Sequence, residues 1–285
     1  MSFTDIQTTI ISGIAAHAPA RAWICDIWGV IHNGVAVFPS AIDACVRFRD
    51  SGGHVVFVSN APRPSDGIVM QLDGLRVPHS AYDAILTSGD VTRQQLSGWR
   101  NVPTLHIGPE RDLTLFRDLD VPLTDTARAG RVLCSGLHDD TTETPETYRA
   151  QLQSLAARGV PMLCANPDIK VDRGGKIIYC AGAIAALYES LGGVVEYAGK
   201  PHPPIYKTAF QMIATLAGTD VPNDEIIAIG DGIHTDIPGG LAAGLRTVYI
   251  SSAIHHTGPL TASALCALFP DASQRPQFAM QALAW

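Results

Sequence analysis

The sequence predicts an α/β protein: a parallel β-sheet flanked by helices, interrupted by a second α/β unit. Three observations predict it. Short apolar runs such as WICDI (Trp23–Ile27) and HVVFVS (His54–Ser59) alternate with amphipathic segments over most of the 285 residues. Runs apolar on both faces belong to strands covered by helices on each side, as in parallel sheets. The alternation occurs near both ends of the chain, while a middle stretch of about a hundred residues carries its own strands and helices, enough for its own core. The division is therefore a first sheet half at 1–88, an insertion at 89–193 and a second sheet half at 194–285.

The elements follow in order. Ile6, Ile10, Ile11 and Ile14 fit one face of an N-terminal amphipathic helix. After the strand Trp23–Ile27, Ser40 is placed to cap a helix over Ala41–Arg49, closed by Gly52–Gly53. His54–Ser59 is the second strand, residues 66–75 a helix, and Asp83–Thr87 the third strand. In the insertion, Thr104–Ile107, Arg131–Cys134 and Pro161–Ala165 read as strands, and 113–118, 145–158 and 181–190 as helices. Then come a short strand at Val194–Tyr197, a helix at 204–217 with proline in its first turn, a strand at Glu225–Ile229, a short helix at 237–243 ended by Gly244, and a strand at Arg246–Ile250. Residues 261–285 read as helical and peripheral.

Composition narrows the function. A net charge of −7 argues against nucleic acid as the main partner. A small anionic substrate is still compatible, because backbone dipoles and one or two cations can hold a phosphate locally. No run is long or apolar enough to span a membrane, and the first residues lack the basic start of a signal peptide. The six cysteines form no CxxC pair, which favours reduced thiols in a cytoplasmic protein over zinc or disulfides.

In open parallel sheets ligands bind beyond the carboxyl ends of the strands, and the unusual polar residues gather there. Asp26 ends the first strand. Ser59 and Asn60 end the second. Gly230–Asp231 ends IIAIG, and Asp236 lies in the next loop. Lys200 stands in AGKPHPP between a strand and a helix. Close carboxylates repel unless a cation sits among them, and hard oxygen ligands suit Mg²⁺. Ser59 and Asn60, with backbone N–H groups, can hold phosphate oxygens. Lys200 can neutralise a phosphate and a carboxylate together. Asp26 can then attack phosphorus.

Four segments in this order, DIWGVIHNG, VSNAPR, GKPHPPIY and GDGIHTD, resemble the motifs of the haloacid dehalogenase superfamily. The spacing and the insertion resemble its NagD-like class IIA branch, as does CANPDIKVDRGGKIIYCAGAIA. The resemblance implies a Rossmann-like core with an inserted α/β cap, and a Mg²⁺-dependent phosphatase of small phosphorylated metabolites. It implies Asp26 as nucleophile and metal ligand, Ser59 with Asn60 at the phosphoryl group, Lys200 as the third-motif lysine and Asp231 as a metal carboxylate. It further implies Asp236 holding the metal's water or Lys200, and the main-chain carbonyl of Trp28 as a metal ligand. Caps of this branch sometimes mediate dimers, so a homodimer is an option.

Trp28 departs from the pattern. The family's phosphatases usually carry there a second aspartate, which protonates the leaving oxygen. Indole cannot do this at neutral pH, and general acid catalysis is typically worth about 10²–10⁴-fold. Three readings follow: a substrate with a good leaving group or its own acid; a substitute acid from the cap or from His32, His202 or His234; or a weakly catalytic or non-catalytic phospho-ligand sensor. The retained nucleophile, lysine and carboxylates favour catalysis.

Other features have plainer readings. GDG at Gly230–Gly232 lacks the third glycine of a dinucleotide fingerprint. His255–His256 reads as a surface loop, and HDDTTETPE at 138–146 as a solvated one. Arg63 either reaches the substrate or is an exposed loop arginine. Asn166 and Asp168 fix a turn, and Asn33 with Gly34 shapes the loop after Asp26.

Overall fold

Apolar, β-branched runs take the central places in two parallel sheets, and register within those sheets brings the motif residues to their edges. The protein is described from a computed structural model covering residues 8–17, 19–173, 176–251 and 258–285. Ile6 and the His255–His256 pair lie outside the described residues.

Thirteen strands occur among the described residues: β1 (Thr9–Ile10), β2 (Ala22–Asp26), β3 (His54–Ser59), β4 (Ala84–Thr87), β5 (Thr104–Ile107), β6 (Arg131–Cys134), β7 (Met162–Cys164), β8 (Lys170–Arg173), β9 (Lys176–Tyr179), β10 (Val195–Tyr197), β11 (Ile226–Gly230), β12 (Arg246–Ile250) and β13 (Phe278–Met280). A seven-stranded sheet has the order β1-β13-β12-β11-β2-β3-β4, a four-stranded sheet the order β10-β7-β6-β5, and β8 pairs with β9 as an antiparallel hairpin.

The chain divides into two compact units. One comprises residues 1–59, 69–86 and 206–285, the other 60–68 and 87–205. In the first unit, β11 and β2 run parallel with Ile229 opposite Cys25, and β2 and β3 with Asp26 opposite Val58. Asp26, Ser59 and Asp231 therefore emerge at one edge within a residue of the same level. Trp23 is fully buried and stacked on Phe48, ring centroids 4.0 Å apart, with Trp285 tilted against both. The second unit has its own core, in which Leu133's neighbours Val132 and Cys134 pack with Tyr148, Leu152, Met162, Ile184 and Tyr188. Its four strands are parallel throughout.

Several elements differ from the sequence reading. The expected N-terminal helix is replaced at Thr9–Ile10 by β1, which pairs with β13. Ile11 and Ile14 bury into the core instead, so their spacing imitates a helical face. The segment 261–285, read as helical and peripheral, keeps a helix at Ala262–Leu268 but also supplies β13, an internal strand of the large sheet. β10 pairs with β7, so the strand expected with the second sheet half lies in the four-stranded sheet. The helix Ser88–Leu96 was not anticipated, and residues 110–116 form a 3₁₀ turn where an α-helix was expected. All six cysteines are free, five buried and Cys266 exposed.

Candidate active site

The site is assembled from strand ends. In the first unit, Asp26 is the last residue of β2, Asp231 follows β11, and Asp236 opens the short helix Asp236–Ala242. One carboxylate oxygen from each lies within 4.8 Å of the others. Asp231 and Asp236 are buried and Asp26 is half-buried. The Asp236 carboxylate accepts from the Gly232 amide at 3.2 Å and the Thr235 hydroxyl at 3.3 Å. The charge of Asp231 reaches Tyr249, whose hydroxyl is pushed up to about 12 by burial first and by that carboxylate second.

Glycines make the room. Gly29 has φ +83°, and a Cβ there would meet Asp231 Oδ2 at 2.1 Å. A Cβ on Gly230 would meet the Asp236 carboxyl carbon, also at 2.1 Å. Backbone thus lies directly against both buried acids, and any side chain would displace them. Three crowded carboxylates, two without bulk water, form a costly arrangement unless a cation sits among them. The all-oxygen donor set fits a small hard divalent ion.

The loop after Asp26 is folded on itself. Gly29 donates to the His32 carbonyl at 2.8 Å, and the Gly34 amide donates to His32 Nδ1 at 2.9 Å. Asn33 Oδ1 accepts from Val35 and Ala36, the turn-shaping role expected of it. The Trp28 indole meets the His32 ring edge-on, centroids 5.4 Å apart, and lies over Gly34, where a Cβ would come within 2.4 Å of it. Burial lowers the His32 pKa to about 4, so its ring is neutral at pH 7 with Nδ1 already used as an acceptor. His202 is stacked on Tyr197 at 4.2 Å and is also lowered by burial. His234 is exposed. Burial thus holds His32 and His202 towards their neutral forms.

Ser59 ends β3 and is half-buried. Asn60, the next residue, belongs to the second unit, and its side chain is fully committed there. Its Oδ1 accepts from the Lys200 amide at 2.8 Å. Its Nδ2 donates to the Lys200 carbonyl at 3.0 Å and to Asp168 Oδ1 at 2.9 Å. A carboxamide has two donor hydrogens, and both are engaged. The side chain thus fixes the Lys200 backbone, and the expectation for Asn60 at a phosphate rests on its backbone N–H group. Lys200 is buried, and a Cβ on Gly199 would meet Asn60 Oδ1 at 2.5 Å, so this contact too depends on glycine.

Asp168 makes a contact that sequence reasoning did not anticipate. Its amide donates to Asn166 Oδ1 at 3.0 Å, the expected turn, while its carboxylate orients Asn60 across 108 positions of sequence. The NPD signal located the turn but not this long-range bond.

Comparison with known proteins decides the family. The chain is 42% identical to a hydrolase of the haloacid dehalogenase-like family from Brucella suis 1330, covering 96% of this chain and all of that one, with a TM-score of 0.85. It belongs to the haloacid dehalogenase-like hydrolases. The model of haloacid dehalogenase-like hydrolases matches residues 23–122 of this hydrolase, and a HAD-hydrolase-like model matches residues 197–278. It is 27% identical to the ribonucleotide monophosphatase NagD of Escherichia coli (strain K12) over 244 residues, 81% of this chain and 87% of that protein, in keeping with the NagD-like class IIA branch. A dihydroxyacetone phosphatase of Corynebacterium glutamicum (strain R) is 32% identical over 102 residues, a match spanning only 35% of either chain.

Proposed function

We propose that this hydrolase is a Mg²⁺-dependent phosphatase of a small phosphorylated metabolite, acting through an aspartyl-phosphate on Asp26. The meeting of the Asp26, Asp231 and Asp236 carboxylates within 4.8 Å carries the reading. The names of its relatives support phosphomonoester hydrolysis. The reading takes residues 89–193 as the substrate-selecting cap and the buried cysteines, none in a disulfide, as those of a cytoplasmic protein. No helix among the described residues is long and apolar enough to cross a membrane.

In this reading Asp26, as carboxylate, forms a bond to phosphorus while the bond to the leaving oxygen breaks. Water later attacks the acyl-phosphate and regenerates Asp26. Asp26, Asp231 and the Trp28 carbonyl would hold the Mg²⁺, which would supply positive charge for the phosphoryl oxygens. Asp236 steadies this set through its own hydrogen bonds. Ser59 donates its hydroxyl to the phosphoryl group, and Asn60 fixes the Lys200 backbone; the family resemblance gives that lysine the role of offsetting phosphoryl charge. The leaving oxygen departs without a strong acid, since Trp28 has no acidic proton and His32 is neutral. The enzyme therefore suits substrates with acidic leaving groups or with an acid of their own.

The test is turnover of p-nitrophenyl phosphate and an unsubstituted alkyl phosphate with Mg²⁺, in the parent and in Asp26→Asn. The aryl ester should react much faster, and the variant should lose both activities. Equal rates, or residual turnover in the variant, would sink the proposal.

A further inference from the structure

The loop after Asp26, IWGVIHNGVAVF from Ile27 to Phe38, contains no Asp, Glu, Lys or Arg. It begins beside three carboxylates and nonetheless offers an apolar surface. Val35, at its tip, is 81% exposed, and Trp28 is half-buried. The polar acceptors of the loop are engaged within it: Asn33 Oδ1 accepts from the Val35 and Ala36 amides, and His32 Nδ1 from the Gly34 amide. Burial lowers the His32 pKa to about 4, so its ring adds no charge at neutral pH.

Trp28 is held at its root and at its tip. The next residue, Gly29, lies directly against Asp231, where a Cβ would fall 2.1 Å from Oδ2. Consecutive Cα atoms are ~3.8 Å apart, so the indole is rooted one residue from a contact with the acid cluster. At the other end, the far edge of its six-membered ring (Cη2, Cζ3 and Cζ2) covers Gly34, 2.4–3.1 Å from where a Cβ would stand. The His32 ring meets the indole edge-on, with 77° between the planes, and a backbone bridge pairs Trp28 with His32. A side chain clamped in this way has lost rotamer freedom before any ligand arrives, so stacking on it costs little further order.

Two properties of this one side chain agree. Trp28 brings no acidic proton, so the leaving oxygen has to depart as a weak base. A phenolic oxygen, with a pKa of ~10, does so far more readily than an alcohol oxygen. Trp28 also brings a flat π-surface, whose preferred partner is another aromatic ring, offset-stacked or edge-on. An aliphatic alcohol leaving group would use neither property.

We propose that Trp28 is the stacking platform for an aromatic leaving group, and that the substrate is a phosphate monoester of a phenol or a hydroxylated heteroaromatic ring. The inference rests on the phosphatase reading and names its substrate class. Trp28 determines specificity here and moves no proton.

The experiment separates ring recognition from leaving-group acidity. Benzylphosphonate is the methylene analogue of phenyl phosphate and has no ester bond to hydrolyse. Cyclohexylmethylphosphonate has the same headgroup and a ring of similar size without the π-face. In calorimetric titrations with Mg²⁺, benzylphosphonate should bind ~3–10-fold more tightly, the scale of one aromatic stack. Trp28→Leu should bring the two affinities together, and Trp28→Phe should keep most of the difference. A merely structural role would weaken both ligands alike and leave their ratio in place. Equal affinities in the parent, an unchanged ratio in Trp28→Leu, or no binding of either compound overturns the inference. Should Trp28→Leu fold poorly, the parent ratio still decides. Turnover of p-nitrophenyl phosphate reads the reaction separately. Its absence, with the affinity difference intact, removes the hydrolysis and keeps the stacking site. Turnover without an affinity difference keeps the hydrolysis and overturns the stacking site.

Discussion

Asp168 has no direct part in the proposed mechanism. Its influence runs through Asn60 to the Lys200 backbone. Asp168→Ala leaves one Asn60 hydrogen without an acceptor, at about 1–3 kcal/mol of lost pairing. We expect kcat to fall ~10–100-fold, equivalent to that energy, with KM changed much less. Steady-state kinetics beside a melting curve checks this; a large loss of melting temperature with unchanged kcat would make Asp168 merely structural. In the proposed mechanism Trp28→Asp supplies the carboxyl that would serve as general acid. It should raise alkyl phosphate turnover at least ~10-fold, within the usual value of a general acid, and aryl phosphate turnover far less. His106 supplies a pH prediction. Its folded pKa is lowered to about 4 from 6.5, so the unfolded chain binds more protons between those values. Its contribution is complete above pH 6.5 and is lost as pH falls towards 4, on the order of 1 kcal/mol given its partial exposure. Urea midpoints at pH 7 and pH 5 should differ less in His106→Gln than in the parent.

At the scale of elements, the helix Ser88–Leu96 is held mainly at its start. Thr87 Oγ1 accepts from the Asp90 amide and Asp90 Oδ2 from the Thr87 amide, both at 2.9 Å, while Asp90 Oδ1 accepts from Ser65 at 3.0 Å. Asp90→Ala should cost ~2 kcal/mol, one lost cap plus a second buried amide left unpaired, measured as a lower urea midpoint. This helix escaped the sequence reading because SGDVTRQQL offers only Val91 and Leu96 as large apolar residues, and its stability comes from the cap and its neighbours. The long strands Trp23–Ile27 and His54–Ser59 were legible because they are apolar on both faces. β1, β10 and β13 were misplaced or missed because two or three residues carry no period, and only pairing partners decide their sheet. At the site, strand-end carboxylates were visible as a pattern. The bond from Asp168 to Asn60, and the need for Gly29 beneath Asp231, were not, since both depend on distant backbone packing.

For the molecule as a whole, the motif residues are dealt between two units: Asp26, Ser59, Asp231 and Asp236 in one, Asn60 and Lys200 in the other. Cation binding by Asp26 and Asp231 should therefore stabilise the unit that holds them. At a Mg²⁺ concentration 100-fold above the dissociation constant the gain is about 2.7 kcal/mol. Melting curves with and without Mg²⁺ should separate in the parent and coincide in Asp231→Asn; equal Mg²⁺ shifts in both would remove the acid cluster from metal binding. Trp28 offers a direct view of the same event. Its indole rests on the Gly34 backbone and against the His32 ring, two residues past Asp26. In the proposed mechanism this side chain is thus a built-in fluorophore beside the nucleophile. With Trp23, Trp99 and Trp285 replaced by phenylalanine, emission from Trp28 alone would track ion loading and substrate capture in real time, without any attached dye.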